Sequence, residues 1–191
     1  MENYHLYYIL TDMRIIAGKF GKLQFNAPKG HRTHPMSDRV RGALFNSLGD
    51  IAGLSILDAF AGTGALSFEA ISRGAAKAVS IDIDKNAVNV MNESVAKFGI
   101  KDQCKVIRAN ASGWSDNNSE ALFDIVIAAP PYDNLQHTAV QKLTKHMKED
   151  GMFILDWPAS QEVPNLDGLE LIDNRKYGNA QIAFYKKSTS F

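Results

Sequence analysis

From residue 54 onward, short apolar runs alternate with longer stretches of helical spacing. Strands are predicted near 54–58, 78–82, 104–108, 123–128, 151–156, 169–175 and 180–186. Helices fit near 64–73, 84–98 and 134–148, with a short irregular one near 111–116. Asp84 can cap the second helix, whose Val88, Met91, Val95 and Phe98 form a core stripe. This rotation of strand and helix predicts an α/β fold with a mainly parallel sheet covered on both faces. The last two strands, joined through Tyr177-Gly178-Asn179, read as an antiparallel hairpin.

Upstream the pattern differs. Two apolar pieces flanking Gly18 to Lys22 predict a small hairpin, and Pro28-Lys29-Gly30 ends it. Ser37 or Asp38 can then cap a helix with Val40, Leu44, Phe45 and Leu48 on one face and Gly49 as terminator. Residues 1–12 carry no motif, and Met13 is the expected native start. Three regions follow: an extension (1–12), a hairpin and helix (13–49) and the main domain (50–191).

Charge changes the picture of the second region. The net charge of the 191 residues is zero, yet residues 13–41 hold Arg14, Lys19, Lys22, Lys29, Arg32, Arg39 and Arg41 against Asp38 alone. Concentrated positive charge suits a phosphate backbone, so Arg14, Lys19, Lys22, Arg32 and Arg41 are candidate RNA contacts. A solvated surface arm is the alternative. No run is long enough to span a membrane, and no secretion signal is legible. The single cysteine, Cys104, has no metal-ligand companions; a reduced, cytoplasmic setting without a metal is expected.

Candidate chemistry lies at two strand ends. The run Asp58-Ala-Phe60-Ala-Gly62-Thr-Gly64 follows the first strand, and glycines there let backbone approach a ligand. Ser67 stands where a dinucleotide site has its third glycine. A pyrophosphate would also meet the carboxylate of Asp58, whereas the ammonium and sulfonium of S-adenosylmethionine would be stabilised by it. Asp82, ending the second strand, can accept both ribose hydroxyls, although turn chemistry is its alternative. Asn110 can bond an adenine edge or serve as an ordinary turn residue. Phe60 and Ile83 are counted with this cofactor site.

The second run, Ala129-Pro130-Pro131-Tyr132-Asp133, follows the fourth strand. The first and fourth strands commonly flank the point where sheet order reverses, which would bring the two runs together. Methylating an exocyclic amine is hindered because its lone pair is delocalised into the ring. Stiff backbone carbonyls at 129 and 130 can accept from such an amine while Tyr132 stacks on the base. Ala129, Pro130, Pro131 and Tyr132 are therefore the catalytic candidates. A proline-rich turn with a packing tyrosine is the alternative.

At these residues the chain resembles the bacterial 16S ribosomal RNA (guanine-N2)-methyltransferases of the RsmD-like family. The resemblance runs from Met13 to Lys187. It is carried by Met13-Arg-Ile-Ile-Ala-Gly-Lys19, the Thr33 to Asn46 segment, Leu57 to Ala65, the Pro-Pro-Tyr run and Lys176-Tyr-Gly178. It implies a Rossmann-like class I methyltransferase domain with a seven-stranded sheet, an antiparallel last strand and an N-terminal β-hairpin extension. It also implies methyl transfer from S-adenosylmethionine to a guanine of 16S rRNA, free or in the assembling small subunit, by a monomer. The segment from Thr33 to Arg41 would close over the cofactor, which adds Thr33 and Arg39 to its candidate contacts. Three residues depart from the family pattern: Ala129 replaces the usual Asp, Asn110 an acid, and His34 an Arg. Two other readings stay open: an adenine-N6 methyltransferase on RNA or DNA, and a catalytically impaired RNA-binding protein.

Overall fold

The computed structural model describes residues 13–28 and 36–188. Strands β1 (Met13–Arg14) and β2 (Gln24–Phe25) pair antiparallel as the expected hairpin, and α1 (Asp38–Leu48) follows. Ser37 caps α1 by accepting from the Val40 amide, and Gly49 ends it with φ 71°. Then come β3 (Ser55–Ala59), α2 (Ala65–Ser72), β4 (Lys77–Asp82), α3 (Lys85–Phe98), β5 (Cys104–Arg108), α4 (Ala111–Asn117) and β6 (Phe123–Ala128). The chain closes with α5 (His137–Leu143), β7 (Met147–Pro158), β8 (Leu169–Tyr177) and β9 (Ala180–Lys187).

Strands β3 to β9 form one sheet in the order β5-β4-β3-β6-β7-β9-β8. The five adjacent strands β5, β4, β3, β6 and β7 run parallel, and β9 lies antiparallel between β7 and β8. The order reverses at β3, which has β4 on one side and β6 on the other. Ligands of open α/β sheets collect at the carboxyl end of such a reversal. Strand β3 is buried along all but its first residue, as its near-continuous apolar run requires for a strand covered on both faces.

One face packs α1, α2, α3 and the hairpin through Leu44, Phe45, Phe68, Met91 and Phe25. The other packs α4 and α5 through Trp114, Val140 and Leu143. The hairpin is held into the first of these layers. The buried Glu69 of α2 accepts the amides of Ile16 (2.7 Å) and Ala17 (3.1 Å), and Phe25 meets Phe68 edge-on at 5.1 Å. At Gly18, with φ 81°, an added Cβ would fall 1.9 Å from the Ser72 carbonyl oxygen. Only glycine allows that approach.

The structure corrects the helix expected over 134–148. Helix α5 ends at Leu143, a 3₁₀ turn covers Thr144–His146, and β7 begins at Met147. His146 is fully buried, its ring nitrogens 2.8 Å from the Ala121 carbonyl and 2.9 Å from Ser115 Oγ. Met147 already pairs with Phe123, and the register shifts before Ile125 pairs with Met152. An irregular strand entry thus replaces the last helical turn because its partners are tertiary.

Candidate active site

The loop after β3 is wound tightly. Phe60, Gly62 and Gly64 have φ of 69°, 53° and 78°, so three of five consecutive residues are left-handed. A non-glycine residue in this region costs on the order of 1–3 kcal/mol, a cost typical of functional sites. An added Cβ at Gly64 would lie 2.8 Å from the Phe68 ring. The loop is tied to β4 by Ala61 N–H donating to the Ile81 carbonyl at 2.8 Å.

Asp82 braces the same loop. One carboxylate oxygen accepts the Gly62 amide at 2.7 Å and the other the Asp84 amide at 2.8 Å. Beyond it, the Ile83 side chain is exposed, offering an apolar surface to a ring. Asp84 caps α3 through the amides of Asn86 and Ala87.

Asp58 lies wholly inside. Its Oδ2 accepts from the Ser67 amide (3.2 Å) and Ser67 Oγ (2.8 Å), while its Oδ1 has no partner among the described residues. Burial pushes this carboxyl up to about 6, against the lowering effect of the Ser67 bonds. A buried oxygen without a donor fits a site completed by a cationic ligand group. Ser80 Oγ donates to Ser67 Oγ at 2.7 Å and extends the polar chain under the loop.

The platform abuts the loop. Ala128 is in register with Ala59, and the Ala129 amide donates to the Ala59 carbonyl at 3.4 Å. The Pro131 carbonyl accepts from the Asn134 amide at 2.9 Å, closing a turn that projects Tyr132. Among the described residues no hydrogen bond is donated to the carbonyls of Ala129 or Pro130, so both remain free as acceptors. Tyr132 is 38% exposed, and its hydroxyl donates to Asp156 Oδ1 at 2.6 Å. Burial holds the Asp156 carboxyl up at about 6, and burial together with Asp156 raises the Tyr132 phenol.

An open cleft of about 770 Å³ runs in front of the platform, lined by Asn110, Ser112, Tyr132, Asp133, His137 and Gln161 among others. Asn110 caps α4, its amide oxygen accepting the Gly113 amide at 3.2 Å. The turn role left open by the sequence is thus the one its side chain fills here. Asn110 lines the same cleft as Tyr132.

The structure separates the basic residues. Lys19 and Lys22 are exposed on the hairpin, and Arg39 is exposed on α1. Arg14 is exposed but paired with Asp38 at 2.5 Å. Arg41 is a correction: rather than facing RNA, it is fully buried. Its guanidinium donates to Met36 O (3.1 Å), Arg14 O (2.6 Å) and Asp38 Oδ1 (2.9 Å), and its Nε lies 4.0 Å from Glu69. Arg32, Thr33 and His34 lie outside the described residues. Sequence reasoning missed Asp156, although an acid after Phe153-Ile-Leu155 repeats the apolar-run-then-Asp pattern that picked out Asp58 and Asp82.

A family described as "Conserved hypothetical protein 95" matches residues 13–186. The chain belongs to this family. A relative from Haemophilus influenzae, named ribosomal RNA small subunit methyltransferase D, is 26% identical over 92% of this chain and 94% of its own length. The solved structure of yhhF from Escherichia coli superposes with a TM-score of 0.83 at 26% identity, covering 94% of this chain and 99% of that one. The fold also recurs in SMU.776, solved in complex with SAH, with a TM-score of 0.70 at 16% identity over 86% of this chain and 53% of that one. In this family member, too, the fold is the Rossmann-like one of S-adenosylmethionine-dependent methyltransferases, with the glycine loop and the Pro-Pro-Tyr platform at adjacent strand ends.

Proposed function

We propose that the protein transfers a methyl group from S-adenosylmethionine to the N2 amine of a guanine in small-subunit rRNA. The observation that carries the reading is the juxtaposition of loop and platform through the Ala129–Ala59 bond at the β3/β6 reversal. When bound, the cofactor supplies an electrophilic methyl on a sulfonium sulfur. Asp58 offers its unpartnered oxygen to the ammonium. Asp82 fixes the loop and presents its remaining lone pairs to the ribose, and Ile83 flanks the ring. Thr33 and Arg39 belong to the segment that would cover the site.

On the base side, Tyr132 stacks on the flipped guanine, and the carbonyls of Ala129 and Pro130 accept from its amine. Acceptance favours a pyramidal nitrogen whose lone pair is free to attack. Ala129 contributes only backbone, so the transition state lacks a side-chain acceptor worth on the order of 3 kcal/mol. The exposed cations Arg14, Lys19 and Lys22, with Arg32, hold the phosphate backbone.

The cofactor side is braced by internal bonds that leave one Asp58 oxygen over, and the substrate side is open. That division suits a large RNA partner. Among the described residues no helix is long and apolar enough to cross a membrane, and no cluster of metal-ligating side chains occurs. The test is radiolabelled methyl transfer to small ribosomal subunits, followed by nucleoside analysis. Label in N2-methylguanosine is expected. Label in N6-methyladenosine would move the assignment to an adenine enzyme, and no label would move it to an RNA-binding role without turnover.

A further inference from the structure

Position 129 carries no side-chain acceptor, yet a carboxylate stands beside it. Strands β6 and β7 run parallel with Ala128 opposite Leu155. Ala129, the first residue after β6, therefore emerges beside Asp156, which is still within β7 and pairs with Ile182 of β9. Asp156 reaches across to the end of the Pro-Pro-Tyr turn, where its Oδ1 accepts a 2.6 Å hydrogen bond from the Tyr132 hydroxyl.

We propose that Asp156 is a positioning residue that fixes the Tyr132 ring as the plate on which the target guanine is stacked. The inference rests on the methyl-transfer reading above and assigns a specificity role within it. A phenol bonded through its oxygen is held at its in-plane edge, so this bond covers neither ring face, and Tyr132 keeps 38% of its surface exposed. The acceptor is half-buried and charge-assisted, which makes the bond stronger and shorter than a neutral one. With Pro130 and Pro131 stiffening the backbone and Asp156 holding the far end, Tyr132 is fixed at both ends. An enzyme with alanine at 129 thus draws orientation for the base from the neighbouring strand.

The experiment compares wild type with Asp156→Ala, Asp156→Asn, Tyr132→Phe and the double variant Asp156→Ala/Tyr132→Phe. Single-turnover methylation is measured against small-subunit concentration, and cofactor affinity by calorimetry. Asp156→Ala and Tyr132→Phe should each reduce the single-turnover rate divided by the half-saturating subunit concentration about tenfold. Cofactor affinity should be unchanged, and the double variant should be no worse than either single one. Asp156→Asn keeps an acceptor oxygen and should recover most of the loss.

Additive losses, full activity in Asp156→Ala, or a matching fall in cofactor affinity would overturn the proposal. A second readout does not need turnover. With ring-¹³C tyrosine, the Tyr132 resonance, identified by its loss in Tyr132→Phe, should shift in Asp156→Ala. An unshifted resonance overturns the proposal. A shifted one together with no methylation by wild type upholds the Asp156–Tyr132 contact and overturns the methyl-transfer reading instead.

Discussion

The two halves of the site, the glycine loop after β3 and the platform after β6, are built in opposite ways. The loop is held from inside: Asp82 takes two backbone amides, Asp58 takes Ser67, and three left-handed residues fix its path. The platform is held by two prolines and a side-chain bond from Tyr132 to Asp156, with two carbonyls free among the described residues. A small, invariant cofactor can be met by a preformed cradle. A base delivered by a large RNA needs a stiff edge with unsatisfied acceptors. The loop should therefore fail sharply when altered, and the platform should change rate without changing fold.

The sharpest break is expected at Gly64→Val. Its side chain would meet Phe68 and Met91 at under 3 Å and must adopt a left-handed φ of 78°. Together these should cost roughly 4 kcal/mol. Thermal melting and calorimetry should show a large fall in Tm and loss of cofactor binding. Next comes Arg41→Ala, beneath the helix that leaves the loop. It leaves the buried Glu69 carboxylate with Arg73 as its remaining cationic partner beside the Ile16 and Ala17 amides. Denaturant unfolding should show a loss of about 3 kcal/mol. RNA affinity in the surviving folded fraction should not change, because the side chain is internal.

Asp58 gives a comparison by pH. In the fold it titrates near 6, above the usual 3.8 of an unfolded aspartate. Its contribution to stability is therefore full below about pH 3.8 and is lost as pH rises through about 6. Asp58→Asn removes that loss. The stability difference between variant and wild type should move in the variant's favour by up to about 3 kcal/mol between pH 4 and pH 8, while cofactor affinity falls. Chemical unfolding across that range checks the first half, and calorimetry at pH 8 the second. A wild-type carboxylate that costs stability at neutral pH but strengthens cofactor binding is the pattern of a functional group.

The smallest effect belongs to the hairpin. Replacing Lys19 and Lys22 by Ala should leave the melting temperature unchanged, since both side chains are exposed. It should flatten the log–log salt dependence of RNA binding by about 0.7–0.9 per lost phosphate contact. An unchanged slope would leave these two lysines as surface charge only.

The sheet was legible in the sequence because β3 to β6 are short apolar runs separated by helices, and several helices of the chain carry local side-chain caps. Asp84 and Ser37 act within three residues of themselves. The glycine loop was legible for the same reason: its backbone demands are local. Arg41 was misread because its neighbours in sequence are basic, whereas its environment comes from Glu69 on another helix and the Arg14 carbonyl on the hairpin. The end of α5 was misread because His146 and Met147 take partners from α4 and β6. Asp156 was passed over because its meaning lies in a contact with Tyr132, 24 positions away. In each case the missed information is a long-range pairing, which no local window contains.

Ala129→Asp separates the roles of loop and platform most directly. Single-turnover methylation of small subunits, with cofactor affinity measured on the same preparations, tests whether the cofactor side is preformed and the base side sets the rate. The restored acceptor should raise the single-turnover rate by roughly tenfold to a hundredfold and leave the cofactor Kd unchanged, because it acts on the amine in the transition state. A rate that falls, or a Kd that moves with it, would contradict the division of labour between loop and platform.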